Sequence, residues 1–208
     1  SSDLVDFPHL MLRAKAVKFK HRGASLRDKL LSSTDALGKL AAIPVVAQFV
    51  NAANRNRAAR GVMEKVLGVH QDRKLPPYAS EKFRGCAAPQ SSFAVRDGKF
   101  APGKAAIFAT CYVNYNEPGI GHDLLKVLAH NEIPAIVVEK EACCGMPKLE
   151  LGDLESVERL AKENLSVLAR LAREGYAIMT PIPSCTLMFR SEEHTSELQS
   201  RFGISYAV

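Results

Sequence analysis

Four cysteines in this 208-residue chain each follow a short apolar segment: Cys111, Cys143, Cys144 and Cys185. Thiolates bind soft metals and iron–sulfur clusters, and here three separate segments supply four of them. Any one cysteine, taken alone, is as easily a small buried apolar residue. The set of four, each just past a predicted strand, favours a metal or redox centre. The fifth, Cys86, lies outside this pattern and is interpreted as structural.

Cys143 and Cys144 are adjacent and are followed by Gly145. Neighbouring side chains of an extended segment point in opposite directions, so both sulfurs reach one centre only if the backbone turns. Gly145 and Pro147 offer that turn. Two other uses of the thiols stay open: a structural zinc–thiolate module, and a thiol–disulfide site using the adjacent pair directly, since a vicinal disulfide is strained and labile.

The second half of the chain alternates apolar runs with amphipathic ones. Strands are predicted at residues 105–109, 135–138 and 177–180, and helices at 122–130 and 153–174. This order predicts an α/β fold with a small parallel sheet and right-handed crossover helices. Ligands bind such sheets at the carboxyl ends of the strands, and the cysteine-bearing loops are expected there.

The first hundred residues differ in character. Residues 1–70 are predicted to form a basic N-terminal helical arm, with helices near 9–20 and 26–31, one beginning near Asp35, and one at 54–67. Residues 71–104 are rich in proline and predict an extended linker. The net charge of +6 indicates a solvated basic surface, a partner subunit or anionic lipid. No nucleic acid is expected as a partner, because no recognised binding motif accompanies the charge.

Residues 190–208 do not read as part of a fold. RSEEHTSELQS, from Arg190, and ISYAV, at the end of the chain, are translations of a common sequencing adapter on the two sides of its index. We therefore interpret 190–208 as an adapter artefact and leave its residues out of any site. The chain also begins at Ser1 with no initiator methionine or signal peptide, so we expect a piece of a longer protein with reduced thiols.

Three runs carry a family resemblance: Cys111-Tyr-Val-Asn-Tyr-Asn-Glu-Pro118, Glu141-Ala-Cys-Cys-Gly-Met-Pro147 and Ser184-Cys-Thr-Leu-Met188. Between the cysteines, 31 residues separate Cys111 from Cys143 and 40 separate Cys144 from Cys185. The pattern resembles the cysteine-rich CCG domain that occurs in heterodisulfide reductase and in anaerobic glycerol-3-phosphate dehydrogenase. It departs from that family at Met188, where the last cysteine of a Cys-x-x-Cys is expected. Two interpretations stay open: a cluster held by four thiolates, or a partly degenerate half whose main centre lies in the second half. Residues 105–189 would then be a first CCG domain, with a ferredoxin-type module before the arm and a second CCG half after it.

The resemblance implies an iron–sulfur cluster of the [4Fe–4S] type on Cys111, Cys143, Cys144 and Cys185, with zinc as the lesser alternative. It implies a non-autonomous electron-transfer subunit of an oxidoreductase. Such a subunit passes electrons from a flavin dehydrogenase or other redox subunit toward a quinone or a thiol/disulfide acceptor. A cytoplasmic location follows, with peripheral attachment to the inner face of the membrane. Asn114, Tyr115 and Asn116 are candidates for hydrogen bonds to the cluster sulfurs or to a bound substrate, with ordinary turn residues as the other interpretation.

Overall fold

The computed structural model describes residues 7–86 and 103–191. Three short apolar strands form a parallel sheet: β1 (Lys104–Ile107), β2 (Ala135–Val137) and β3 (Tyr176–Met179). The spatial order is β2-β1-β3, so the first strand lies in the centre. Ala105 pairs with Ala135 on one side and with Ala177 on the other. The predicted α/β class with a small parallel sheet is confirmed.

Helices precede the sheet and cover both of its faces. Before the sheet lie α1 (Phe7–Arg22), α2 (Leu26–Leu31), α3 (Thr34–Ala41), α4 (Pro44–Arg55), α5 (Arg57–Leu67) and α6 (Phe83–Cys86). Around the strands lie α7 (Thr110–Tyr115), α8 (Pro118–His130), α9 (Met146–Leu151), α10 (Leu154–Arg173) and α11 (Pro183–Ser191). The helix predicted at 54–67 is α5 and begins three residues later, because the Asn56 side chain accepts from Ala58 N and Ala59 N and caps it there.

The central strand is buried on both faces because its side chains alternate. Ala106 and Phe108 point into one apolar cluster, which also holds Cys143, Cys144, Cys185 and Met188. Ala105, Ile107 and Ala109 point into a second cluster, against α8. The thiols are therefore part of the packing on one face of the sheet, at the end where the strands finish.

The short helices beside the cysteines were not expected from the sequence. Cys111 lies in the first turn of α7 and Cys185 in the first turn of α11, where loops were predicted. Cys143 and Cys144 lie in non-helical chain just before α9. Gly145 adopts φ +94°, a left-handed conformation open to glycine, and Pro147 follows in the first turn of α9. The backbone turn predicted after the cysteine pair is present.

The N-terminal helices pack against the cysteine-bearing part of the chain. α1 contacts α9, α3 contacts α7, and α6 contacts both α7 and α8. The described part of the predicted linker, 71–86, is packed too: Phe83 is fully buried among β1 and α8 residues and meets His122 edge-on, with 5.1 Å between ring centroids. Residues 87–102 of the predicted linker, and 192–208 of the predicted artefact, lie outside the described residues.

No single helix within 7–86 or 103–191 is both long and apolar enough to cross a membrane. One pair meets the length and composition criteria only when taken together, Thr34–Ala41 with Pro44–Arg55, and it is bent by 109°. Pro44 lies at the start of the second member, where its missing N–H costs nothing.

Gly152 sets the docking of α1. It has φ +88°, and a Cβ there would lie 2.5 Å from the backbone oxygen of Lys15. Because α1 contains no buried residue, we expect Gly152→Ala to release α1 rather than unfold the protein. Limited proteolysis should then cut within residues 7–22 much faster. The left-handed conformation adds a loss of about 1–2 kcal/mol in unfolding free energy.

Gly175→Ala is the matched control for the docking of α1. Its φ of +86° imposes the same backbone strain, but the nearest heavy atom, Lys104 Cε, would be 3.6 Å from the new Cβ. Both variants should lose similar stability, and only Gly152→Ala should expose α1. Equal proteolysis of α1 in the two variants would show that the close approach at Lys15 does not hold the helix.

Candidate functional site

The structure brings the four predicted cysteines into one connected group. Neighbouring thiols interact along the series Cys111, Cys143, Cys144 and Cys185, and each affects the pKa of the next. Cys143, Cys144 and Cys185 are buried, while Cys111 is half-buried. The group lies beyond the carboxyl ends of β1, β2 and β3, because each cysteine follows one strand in the chain.

Cys111 is positioned by a strained turn. Thr110, directly before it, has φ +65°, which is an outlier for a β-branched residue. This residue is buried, and its Oγ1 accepts a hydrogen bond from Val113 N at 3.3 Å, so the turn is tied to the helix it begins. Backbone strain of this kind persists only where surrounding contacts impose it, and it is typical of functional sites.

Glu141 is one of those contacts. Its Oε2 accepts from Ala109 N at 2.9 Å, its carboxylate also accepts from Thr110 N, and its Oε1 lies 3.5 Å from Nη2 of Arg84. Burial raises the pKa of Glu141 to about 7, against the opposing effects of Arg84 and the two amides. One acidic side chain next to the cysteine pair therefore fixes the turn that carries Cys111.

Asn164 fixes the cysteine pair from the other side. It is almost completely buried on α10; its Oδ1 accepts from Ala142 N at 2.8 Å and its Nδ2 donates to Cys143 O at 3.2 Å. Asn164 is not among the site residues predicted from the sequence. A signal was available, because Asn164 occupies the apolar face of an amphipathic helix between Val157 and Leu168, where an amide needs buried partners.

Cys143 has the most polar surroundings of the four thiols. The thiols of Cys111 and Cys144, the Gly145 N–H and the Thr34 hydroxyl all hydrogen-bond to its sulfur, and together they lower its pKa. The pKa of Cys111 is raised, first by its hydrogen bond to Cys143 and then by burial. The pKa of Cys144 is raised by its bonds to Cys143 and Cys185. The group therefore favours a thiolate at Cys143.

A cavity of about 580 Å³ opens beside Cys143. Its wall is built from two distant parts of the chain, the turn around Thr34 and the segment 140–143 with α10. The ammonium group of Lys148 bridges them, donating to Ser32 Oγ at 3.1 Å and to Ser33 Oγ at 3.3 Å. The N-terminal helices thus form part of the site.

The asparagines after Cys111 do not face the sulfurs. Asn114 Oδ1 accepts from Arg84 N at 3.0 Å, and Asn116 Nδ2 donates to Pro77 O at 2.9 Å. Tyr115 packs against Gly38. These residues hold the 77–84 segment and α3 instead. Met188 is buried in the thiol cluster, near enough that a Cβ on Gly145 would lie 3.6 Å from its Cε.

The four thiols differ in arrangement from a single-ion site. Among the described residues, no group of three or more His, Cys, Asp or Glu side chains is arranged to hold a metal ion. The four thiols instead share one apolar cluster. Iron–sulfur clusters are commonly held by four cysteine thiolates, so four neighbouring thiols suit a cluster by chemistry and number.

Residues 105–190 match the family model described as "Cysteine-rich domain", CCG. The resemblance to this family that the three cysteine runs predicted is thus confirmed over residues 105–190. The match begins within β1 and ends in α11, so it contains every strand and all four clustered thiols.

The relatives include a subunit of anaerobic glycerol-3-phosphate dehydrogenase from Escherichia coli K12, 30% identical over 188 residues, or 88% of this chain and 45% of that protein. A subunit of the fumarate reductase (CoM/CoB) of Methanothermobacter marburgensis is 32% identical over 54% of this chain and 22% of its own length. A protein of Methanocaldococcus jannaschii named as an iron–sulfur protein is 28% identical over 33% of this chain and 14% of its own. The chain thus spans less than half of these relatives. No solved structure matches it.

Proposed function

We propose that this chain is an iron–sulfur electron-transfer subunit of an oxidoreductase, with the cluster held by Cys111, Cys143, Cys144 and Cys185. The observation that carries the proposal is the group of four neighbouring thiols, which share one apolar cluster beyond the ends of three parallel strands. The relatives named above, two of them subunits of a dehydrogenase and a reductase and one an iron–sulfur protein, support the same role.

A bound cluster would supply one-electron redox chemistry, and the chain would supply its surroundings. Burial of Cys143, Cys144 and Cys185 excludes water from most of the site. Glu141 and Asn164 hold the two backbone segments that present Cys111 and the cysteine pair. The cavity beside Cys143 leaves one side of the site open to an electron donor or acceptor. Four thiolates suffice for a [4Fe–4S] cluster, which we propose as the type.

The partner and the location belong to the same proposal. We propose that electrons come from a flavin dehydrogenase or other redox subunit and leave toward a quinone or a thiol/disulfide acceptor. Attachment to the inner face of the cell membrane would go through the basic surface of α1, whose last turn holds Lys20, His21 and Arg22. Charge attraction of this kind weakens with ionic strength, so attachment should be lost in high salt.

The test is anaerobic reconstitution of the chain with iron and sulfide, followed by iron and sulfide analysis and a visible spectrum. We expect a brown protein with matched iron and sulfide. Replacing Cys111, Cys143, Cys144 or Cys185 singly with alanine should abolish or strongly reduce this content. Cys86→Ala is the control and should retain it.

Other outcomes separate the alternatives. A colourless protein that binds zinc through the same cysteines would replace the proposal with a structural zinc–thiolate module. A protein that takes up neither metal, and instead forms a reversible disulfide between Cys143 and Cys144, would replace it with a thiol–disulfide site.

A further inference from the structure

Thr34 lies at the site although it is far from the cysteines in sequence. Its Oγ1 is 3.7 Å from Sγ of Cys111 and 3.7 Å from Sγ of Cys143, at sequence separations of 77 and 109 residues. It is the first residue of α3 and lies outside the region that matches the cysteine-rich family. Under the proposed function both thiols are cluster ligands. A hydroxyl placed between them therefore acts directly on the ligating sulfurs.

The position of Thr34 is fixed by helix packing. α3 lies along α7, and four positions after Thr34 the ring of Tyr115 packs against Gly38. Residues four apart share one helix face, so Thr34 and Gly38 on α3 meet Cys111 and Tyr115 on α7 in register. Thr34 therefore faces the sulfurs because of a contact one helical turn away.

The neighbouring hydroxyls serve other purposes. Ser32 Oγ and Ser33 Oγ both donate to Lys29 O, at 3.1 Å and 2.7 Å, and both accept from Lys148. Of the three consecutive hydroxyl residues, Thr34 is the one whose Oγ lies beside Cys111 and Cys143. Other donors around the pair are backbone groups: Gly145 N–H bonds to Cys143, and Met146 N–H bonds to Cys144.

The direction of the hydrogen bond follows from the chemistry of the sulfurs. A thiolate that ligates iron carries no proton and only accepts, so the Thr34 hydroxyl must be the donor. A donor pointed at ligating sulfurs stabilises the reduced cluster, which carries one more negative charge. Hydrogen bonds to the sulfurs are one of the means by which proteins set cluster potentials.

We propose that Thr34 is a positioning and tuning residue, contributed by the N-terminal helices, that donates its hydroxyl hydrogen to the ligating sulfurs of Cys111 and Cys143 and raises the reduction potential of the cluster. The inference rests on the proposed function. It makes the redox site a product of two parts of the chain, and the cysteine-rich domain alone would lack this donor.

The test is a redox titration of the reconstituted chain, followed by the visible or paramagnetic signal of the cluster. Thr34→Val keeps the shape and removes the hydroxyl, and its midpoint potential should be more negative than that of the wild type. Thr34→Ser restores the hydroxyl and should return the potential close to the wild-type value. Ser25→Ala removes an exposed hydroxyl that caps α2 and is not part of the cavity wall, and should leave the potential unchanged.

The outcomes distinguish this inference from the proposed function. If the reconstituted wild-type chain contains no iron and sulfide, both the proposed function and the role of Thr34 are overturned. A wild-type chain with a cluster whose potential equals that of Thr34→Val overturns only the role of Thr34. If Thr34→Val and Thr34→Ala both lose the cluster while Thr34→Ser keeps it, the hydroxyl is needed to hold the sulfurs in place, which supports the inference. Loss of the cluster in Thr34→Ser as well would overturn it.

Discussion

Replacing Asn164 with leucine is expected to destabilise the protein by about 2–5 kcal/mol, because one buried and one partly buried peptide group lose their partners at once. The Ala142 N–H and the Cys143 C=O both bond to the Asn164 amide, and leucine fills the same space without offering a donor or an acceptor. The backbone on both sides of Cys143 should loosen as a result. Chemical denaturation measures the stability, and the alkylation rates of Cys143 and Cys144, which should rise, measure the loosening.

Asn131→Leu is the matched control for this substitution. The Asn131 side chain also donates to a backbone carbonyl, Val127 O at 2.8 Å, but it is exposed to water at the end of α8. Water replaces that partner, so a change within about 0.5 kcal/mol is expected. A cost for Asn164→Leu as small as that of the control would mean that the peptide groups beside Cys143 find other partners.

Gly38→Ala is expected to lower the unfolding free energy by about 1–3 kcal/mol, although alanine is the better helix former. A Cβ at this position would lie 2.2 Å from Cδ2 of Tyr115, far inside contact distance. The ring has little room to move, because Tyr115 is buried and its backbone oxygen accepts from Ala79 N. α3 should shift away from α7. Thermal unfolding measures the loss.

Gly61→Ala is the comparison variant, and it is expected to raise the unfolding free energy instead of lowering it. Gly61 lies within α5 and has no heavy atom within 4 Å of an added Cβ, so only helix propensity acts. A gain of about 0.5–1 kcal/mol is expected. If Gly38→Ala were stabilising by the same amount, the contact between α3 and α7 would be softer than the packing indicates, and the position of Thr34 would not depend on it.

The strands and the long helices could be predicted because their signals are local. The apolar runs before Cys111, Cys143 and Cys185 are short and bounded by turn residues. Each of them overlaps one strand of the structure. The predicted helix at 153–174 is off by one residue at each end. The convergence of the thiols followed from the parallel sheet, since strand ends of one direction meet at one edge. Their role as cluster ligands stays a prediction.

The short helices at the site could not be predicted in the same way. α7 and α9 each contain six residues, too few to be stable by propensity. Tertiary contacts hold them: α7 begins at the strained Thr110, whose turn is fixed by Glu141 from another segment. A helix that depends on a residue about thirty positions away has no local sequence pattern that predicts it.

Thr34 was missed for a related reason. Serine and threonine just before a helix are common caps, so the run of three hydroxyl residues carries no sign of a second role. The 3.7 Å approach of Thr34 to the sulfurs depends on how α3 packs on α7. Arm and linker were predicted as separate from the cysteine-rich domain because their composition differs. The composition of a segment does not show where it packs, because individual apolar residues decide that. In the predicted linker the deciding residue is Phe83, which is fully buried.

Phe83 affects where the boundary of the folded unit around the sheet lies. Its ring fills the core beneath the central strand, yet it precedes the first residue of the matched family region by more than twenty positions. Cutting the chain at that boundary would leave a hole the size of a phenylalanine side chain, at a cost of about 3–5 kcal/mol. The smallest piece that could be moved intact into another protein, by recombination or by design, therefore begins upstream of the sheet and includes Phe83.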